Sequence, residues 1–249
     1  MTAIRELLDI QFADDYACSP EEVRSRDNIF TVYQDTPTRR KYAGDGYFQL
    51  ACLHGKLLAT GEERLISWCR KHLQTAGAPW FMEYANLRRL DDRLAEDGYT
   101  IGLAHPYFTA EQVTEPLPAA GELQWYDEAE IGQFRGDERF TEAFTFVESA
   151  PDVLGIALKQ NGRILGMAGA SRDSRRMYQI GINIIPEARG RHLGTLLVTR
   201  LKNRLLQEGI LPYYGTAMSH TASQRIACES GFKPAWSELF AVKRPQGTE

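Results

Sequence analysis

The sequence of 249 residues has no window approaching the roughly 20 consecutive apolar residues that a membrane-spanning helix requires, so no membrane is expected among its partners. Its first residues, MTAIRELLDIQFADD, carry acids and lack a basic region followed by an apolar run. No signal peptide is expected, and the cytoplasm is the expected compartment. Cysteine is scarce: Cys18, Cys52, Cys69 and Cys228 are scattered, with no CxxC pair and no histidine at zinc-type spacing. That argues against a disulfide framework or a metal site and predicts buried free thiols. The net charge of −4 supplies no excess of positive charge, so nucleic acid is not an expected partner.

What is present is ordinary globular material, 43% hydrophobic and 25% charged, and long enough for two modest domains. The best boundary lies in TAEQVTEPLPAAG, where Pro116 and Pro118 sit among small residues. The division read from it is an N-terminal α/β domain over 1–115, a linker over 116–121 and a second domain over 122–245. In the first half, Ile4, Leu7 and Leu8 predict a helix, and Ser19-Pro20-Glu21-Glu22 reads as a cap followed by proline and acids in a first turn. Strands are predicted at 29–33 and 47–53, the latter pairing with 56–59 across His54-Gly55. A helix over 61–73, a short strand at Trp80-Phe81-Met82, a helix over 86–96 and a strand over 99–108 follow. Arg39-Arg40-Lys41 is a basic cluster, read as a solvated loop.

In the second half, 123–126 reads as a strand, and 127–134 and 137–146 as helices. The Asn161-Gly162 pair between apolar runs predicts a hairpin of 153–159 with 163–171. The most informative stretch is YQIGINIIPEARGRHLGTLLVTRLKNRL, from Tyr178 to Leu205. Ile180, Ile182 and Ile184 alternate as in a strand, Pro186 ends it, and Leu193, Leu197, Leu201 and Leu205 then recur at helical spacing. A helix therefore starts inside the cluster Arg189, Gly190, Arg191, His192, Leu193, Gly194, Thr195. Its first N–H groups lack intrahelical acceptors and its positive dipole end is flanked by two arginines, which describes an anion cradle. Gly209 is placed to end the helix, a strand over 210–216 is interrupted by Pro212, and a short helix ends at Gly231-Phe232 before a last strand over 236–243.

This order of elements, with an Arg-Gly-x-x-x-Gly turn between strand and helix and a Gly-Phe ending downstream, resembles the GNAT superfamily of acyl-CoA-dependent N-acetyltransferases over roughly residues 122–243. The family pattern Q/R-x-x-G-x-G/A aligns with Arg189 to Gly194, with His192 where a glycine is usual. The stretches MAGASRDS, QIGINIIP, TRLKNRLL and SGFKPAW resemble a bacterial group related to zwittermicin A resistance acetyltransferases. The implied fold class is α/β with a mixed sheet, a GNAT-like acyltransferase fold preceded by an additional α/β domain that reads as a degenerate GNAT-like repeat.

The resemblance implies acetyl-CoA (coenzyme A) as cofactor and a primary amine of a small molecule as acceptor. It assigns cofactor contacts to the backbone of Ile182, Asn183 and Ile184 and to the cradle of Arg189, Gly190, Arg191, His192, Leu193, Gly194 and Thr195. The tyrosine acid usual four residues before Gly-Phe is replaced by Ala227, and Asn183 stands where an acidic residue is expected. Catalytic candidates are then His220, Ser219 and Tyr214, with Tyr213, Glu148 and Asp152 behind them. A homodimer is left open. The alternative reading, motivated by Ala227, Asn183 and His192, is a non-catalytic acyl-CoA sensor.

Overall fold

The structure is a computed structural model that describes residues 3–36, 38–39 and 46–245. In chain order its helices and strands are α1 (Ile4–Asp15), α2 (Pro20–Arg24), β1 (Ile29–Val32), β2 (Phe48–Leu53), β3 (Lys56–Gly61), α3 (Glu63–Leu73), α4 (Tyr84–Ala95) and β4 (Tyr99–Thr109). There follow β5 (Glu122–Asp127), α5 (Glu128–Ile131), β6 (Asp152–Gln160), β7 (Arg163–Arg172), β8 (Met177–Ile184), α6 (Leu193–Gln207), β9 (Leu211–Gly215), α7 (Thr221–Glu229) and β10 (Lys233–Lys243). By their internal contacts these fall into two compact units. One, the N-unit, is Asp9–Tyr107 together with the chain from Ala235; the other, the C-unit, is Phe108–Pro234 with the residues up to Leu8.

The N-unit orders its strands β1-β3-β2-β10-β4. The predicted hairpin forms, with β2 antiparallel to β3 and both turn residues, His54 and Gly55, at positive φ (52° and 80°). Ser19 closes a reciprocal capping box with Glu22 at the start of α2. The core packs Leu50, Leu57 and Ala59 against Leu65, Ile66 and Cys69 of α3, Leu90 and Leu94 of α4, and Leu239 of β10. A buried polar cluster accompanies it. Arg39 pairs with Asp15 at 2.5 Å and Glu238 at 2.7 Å, lying over the rings of Phe12 and Trp236, while Tyr16 donates to Glu238 at 2.7 Å. Arg39 is thus an internal cation rather than part of a solvated loop; Arg40 and Lys41 lie outside the described residues.

The C-unit orders its strands β9-β8-β7-β6-β5, with β5 to β8 antiparallel and β8 parallel to β9. Alternation along the strands divides two cores, as period-2 side-chain geometry requires. On one face Ile156, Leu158, Ala168, Ala170 and Ile180 meet Leu193, Leu197, Leu201 and Leu205 of α6. On the other Ala157 and Met167 meet Tyr126, Ile131, Phe134, Phe140 and Phe144. The Asn161-Gly162 turn has both residues at positive φ (52° and 77°), as its hairpin requires. Gly209, at φ 76°, ends α6 in a Schellman pair, with its N–H on Leu206 O and that of Ile210 on Leu205 O.

Two expected elements take other forms. Trp80-Phe81-Met82 is not a strand; Ala78–Trp80 makes a 3-10 turn with Pro79 in its first positions, which leaves Trp80 75% exposed and turns Phe81 inward. The expected helix over 137–146 shrinks to one 3-10 turn, Glu138–Phe140. Its continuation lies instead against a row of glycines in register across three strands, Gly155↔Gly169↔Gly181. A Cβ on Gly181 would overlap the carbonyl oxygen of Glu142, one on Gly169 that of Ala143, and one on Gly155 would stand 2.6 Å from the Phe144 ring. A turn over 141–143, closed by the Phe144 N–H on Phe140 O at 3.0 Å, lies on this trough, and no helix continues beyond it.

Candidate functional site

Strands β8 and β9 pair only at their beginnings, Met177↔Leu211, Tyr178↔Pro212 and Gln179↔Tyr213. Beyond Gln179, β8 continues to Ile184 on β7 alone, with Ile180↔Ala170 through Ile184↔Gly166. Pro212, lacking an N–H, sits within the short paired stretch. Residues Ile182, Asn183 and Ile184 therefore lie on a strand edge from which β9 has parted. Such an edge carries backbone donors and acceptors that an extended ligand can pair with as an added strand.

At the end of that edge the chain passes through a 3-10 turn, Pro186–Ala188, and into α6. Gly190 has φ 74° with open space around it, so its glycine serves the turn itself. His192 is the N-cap of α6 at φ 55°, ψ 21°, with no side-chain cap. The position where the family pattern has glycine is thus left-handed, and histidine is held there under strain. Gly194 has another cause: a Cβ there would lie 2.8 Å from Ile226, so the glycine admits α7 rather than a ligand.

The backbone N–H groups of Gly190, Arg191, His192, Leu193, Gly194 and Thr195 have no acceptor among the described residues. The first intrahelical bond is that of Leu196 to His192 O, at 3.1 Å. Six consecutive unmatched donors at a helix start fit a pyrophosphate in number and sign. Arg191 is exposed and makes no bond, whereas Arg189 turns its Nε toward Ile184 O at 3.4 Å. One acid intrudes: Glu229 of α7 accepts from Thr195 Oγ1 at 2.9 Å and lies 3.6 Å from His192 Nδ1.

The catalytic candidates separate. Tyr213 is fully buried and donates to Asp173, whose other oxygen accepts from Ser171 at 2.7 Å, so it belongs to the base of the sheet. Tyr214, past the splay, is 2% exposed and shares a 2.8 Å hydrogen bond with Ser223 of α7. Burial pushes its phenol up, the Ser223 bond pulls it down, and the charge of Glu142 adds to the rise. Ser223 stands one turn before Ala227, so two hydroxyls lie beside the face from which the usual tyrosine is missing. Ser219 and His220 are exposed at the start of α7, His220 as an N-cap without a side-chain bond. Asp152 accepts from Phe146 N at 2.8 Å, a turn-holding bond, and Glu148 is exposed.

Asn183 carries a role that residue type alone did not suggest. Its Oδ1 accepts from the N–H of Glu142 at 2.9 Å and of Ala143 at 2.8 Å, pinning the segment in the glycine trough. The register of Gly155, Gly169 and Gly181 in consecutive predicted strands was the available signal for this. Among the described residues no group of three His, Cys, Asp or Glu is placed to hold a metal ion, and no helix is long and apolar enough to cross a membrane.

Residues 119–232 match the model of the acetyltransferase (GNAT) family. Among solved structures, a GCN5-related N-acetyltransferase-like protein from Streptococcus suis aligns over 98% of this chain and 100% of its own, with TM-score 0.50 and 14% identity. A GCN5-related N-acetyltransferase from Kribbella flavida aligns over 65% of this chain and 64% of its own (TM-score 0.45, 17% identity). An acetyltransferase from the GNAT family of Colwellia psychrerythraea aligns over 64% and 63% (TM-score 0.42, 15% identity). The chain thus spans a little under two thirds of the length of these last two. A comparison with curated proteins found no match.

Proposed function

We propose that residues 119–232, which match the acetyltransferase (GNAT) family model, form an acetyltransferase domain whose acyl donor is acetyl-CoA, and that the chain transfers an acetyl group to a primary amine of a small molecule. The observation that carries the reading is the parted β8 edge running directly into six unmatched N–H groups at the start of α6. Bound acetyl-CoA supplies the thioester from which the acetyl group passes to nitrogen. In this reading the edge at Ile182 to Ile184 orients the acyl arm, and the donors from Gly190 to Thr195 hold the pyrophosphate, with Arg191 as an outer cation. Backbone donors of the same edge stabilise the charge developing on the carbonyl oxygen. In this reading the hydroxyl pair of Tyr214 and Ser223 delivers a proton to the departing sulfur, with Ser219 and His220 as further candidates before α7. An antibiotic or metabolite amine fits the resemblance of MAGASRDS, QIGINIIP, TRLKNRLL and SGFKPAW to the zwittermicin-related group.

A second reading, a sensor that binds acyl-CoA without turnover, is favoured by Ala227. Calorimetry with CoA and thiol release from acetyl-CoA across an amine panel test both. Micromolar CoA binding with amine-dependent release that is lost in Arg191→Glu supports transfer. Binding without release for any amine or peptide overturns it in favour of the sensor, and absence of CoA binding removes both.

A further inference from the structure

The structure places one carboxylate in a position that the acid and base candidates above do not account for. Glu142 lies in the turn, 141–143, that occupies the glycine trough. Both its backbone N–H and that of Ala143 are held by the side-chain oxygen of Asn183, at 2.9 and 2.8 Å. Its carbonyl rests on Gly181, so the main chain is fixed to β8 at two successive positions of one face, 181 and 183. These are positions where β8 has already lost β9. Main chain clamped this tightly sets the origin of the side chain with little freedom, while the side chain itself is exposed.

Several of its acidic neighbours are engaged elsewhere, and the exposed Glu138 and Glu148 have no main-chain anchor on β8. Asp127 and Glu130 close a capping box, Glu128 faces Arg172 at 3.6 Å, Asp137 pairs with Arg139 at 2.6 Å, and Asp152 holds Phe146 N. The Glu142 carboxylate has no hydrogen-bond or ion-pair partner among the described residues. Its charge is nonetheless felt at Tyr214, across the parting of β8 and β9. A carboxylate whose main chain is anchored on the parted stretch of β8 and whose head has no partner among the described residues suits a cationic acceptor.

Resting on the transfer reading above, we propose that Glu142 receives the acceptor as an ammonium ion and serves as its general base, with Asn183 as the positioning residue. Glu142 takes one proton from R–NH3+, leaving a lone pair on nitrogen. The C–N bond forms at the acetyl carbon as the C–S bond breaks and its electron pair leaves with sulfur. The remaining excess proton on nitrogen is matched by the proton that the thiolate gains, so the products are the amide and the free thiol, and Glu142 returns its proton to water. The amide in place of an acid at Asn183 then has a reason. An acid there would set a second negative charge beside Glu142, whereas the amide oxygen holds the segment without one.

The test uses the full chain with acetyl-CoA and any amine that the wild type acetylates. Glu142→Gln is expected to lower kcat/KM for the amine by about 10²-fold or more, with CoA affinity by calorimetry within twofold of wild type. In the wild type log kcat/KM stays level between the carboxylate and amine pKa values. In Glu142→Gln it climbs with unit slope to the amine's own pKa, because only amine deprotonated in solution reacts. Asn183→Ala is expected to lower kcat with CoA affinity retained, and Asn183→Asp, which can still accept both N–H groups, to recover part of it. Wild-type kcat/KM and pH profile in a folded, CoA-binding Glu142→Gln overturn this proposal alone. A wild type that binds CoA yet acetylates no amine overturns the transfer reading and this proposal with it.

Discussion

Thr195 donates to Glu229 at 2.9 Å across the first turn of α6, so an acid stands at the rim of the donors assigned to the pyrophosphate. A helix start favours anions, and one carboxylate already uses part of that field. Glu229→Gln keeps an acceptor for Thr195 while removing the charge. CoA is expected to bind about 2- to 5-fold tighter, the magnitude of one charge at a partly exposed helix end. Titration calorimetry at low and at high salt checks it; a gain that does not shrink with salt contradicts an electrostatic origin.

His192 occupies a left-handed position, φ 55°, at the N-cap of the same helix. Replacement by glycine relieves the side-chain clash but adds freedom to the unfolded chain, so the expected gain is about 0.5–1 kcal/mol. His192→Ala keeps the clash and is expected to gain nothing. Denaturant melts of the three proteins decide; equal midpoints refute the strain.

Lys202 is fully buried, donating to Gln112 O at 3.1 Å and Thr114 Oγ1 at 2.8 Å, with no carboxylate partner among the described residues. Burial lowers its amine from 10.5 to about 8. Between those values the unfolded chain binds the extra proton, so this group's contribution to stability rises with pH across the window and is least favourable below it. The stability of wild type minus that of Lys202→Met is expected to increase from pH 7.5 to 10.5. A pH-independent difference would show the amine to be unshifted.

Gly181→Ala drives a methyl group into the carbonyl oxygen of Glu142. Because backbone rather than a flexible side chain is struck, a loss of about 2–4 kcal/mol is expected, read from chemical denaturation. Gly162→Ala, with no atom near the added methyl, is expected to show only the smaller cost of its φ of 77°.

Glu238 is completely buried and accepts from Arg39, Tyr16 and Trp236. Glu238→Ala leaves the Arg39 cation with one of its two carboxylates, Asp15, and should cost about 3–5 kcal/mol, well above the cost of replacing the whole triad by apolar residues. Thermal melts of Glu238→Ala and of Asp15→Leu/Arg39→Met/Glu238→Leu make the comparison, and a triple variant as unstable as the single one refutes it.

The parts of this structure that local chemistry dictates were legible in the sequence. Asn161-Gly162 and His54-Gly55 needed positive φ, Ser19 with Glu22 needed a capping box, and Leu193 to Leu205 needed a sheet beneath them. The helix start on which the proposed anion cradle rests was readable for the same reason, since Leu193 to Leu205 set its period. What failed was decided at a distance. The segment 137–146 has helical spacing of Phe140 and Phe144, but glycines on three strands bring its backbone against the sheet at Glu142 and Ala143, and it makes short turns rather than a continuous helix. Asn183 looked like a lost acid because its partners, Glu142 and Ala143, are about forty residues away in sequence and bind through backbone, which no side-chain pattern records. Tyr213 and Tyr214 are neighbours whose side chains alternate, so one is sealed on Asp173 and the other meets α7.

Strand β10 is made last and yet completes the unit whose other strands are made first, lying antiparallel on β2 with Leu239 opposite Leu50. Synthesis runs from the amino end, and domains ordinarily fold as they emerge. Here the early unit waits. Until residue 243 has left the ribosome, β2 has an uncovered edge and the Arg39 cation has only one of its two carboxylates. The C-unit, whose strands from β5 to β9 are contiguous in sequence, can close in the meantime. Of the two units, the one whose strands begin earlier is therefore the one completed later, and the wait is the time needed to translate residues 108–234.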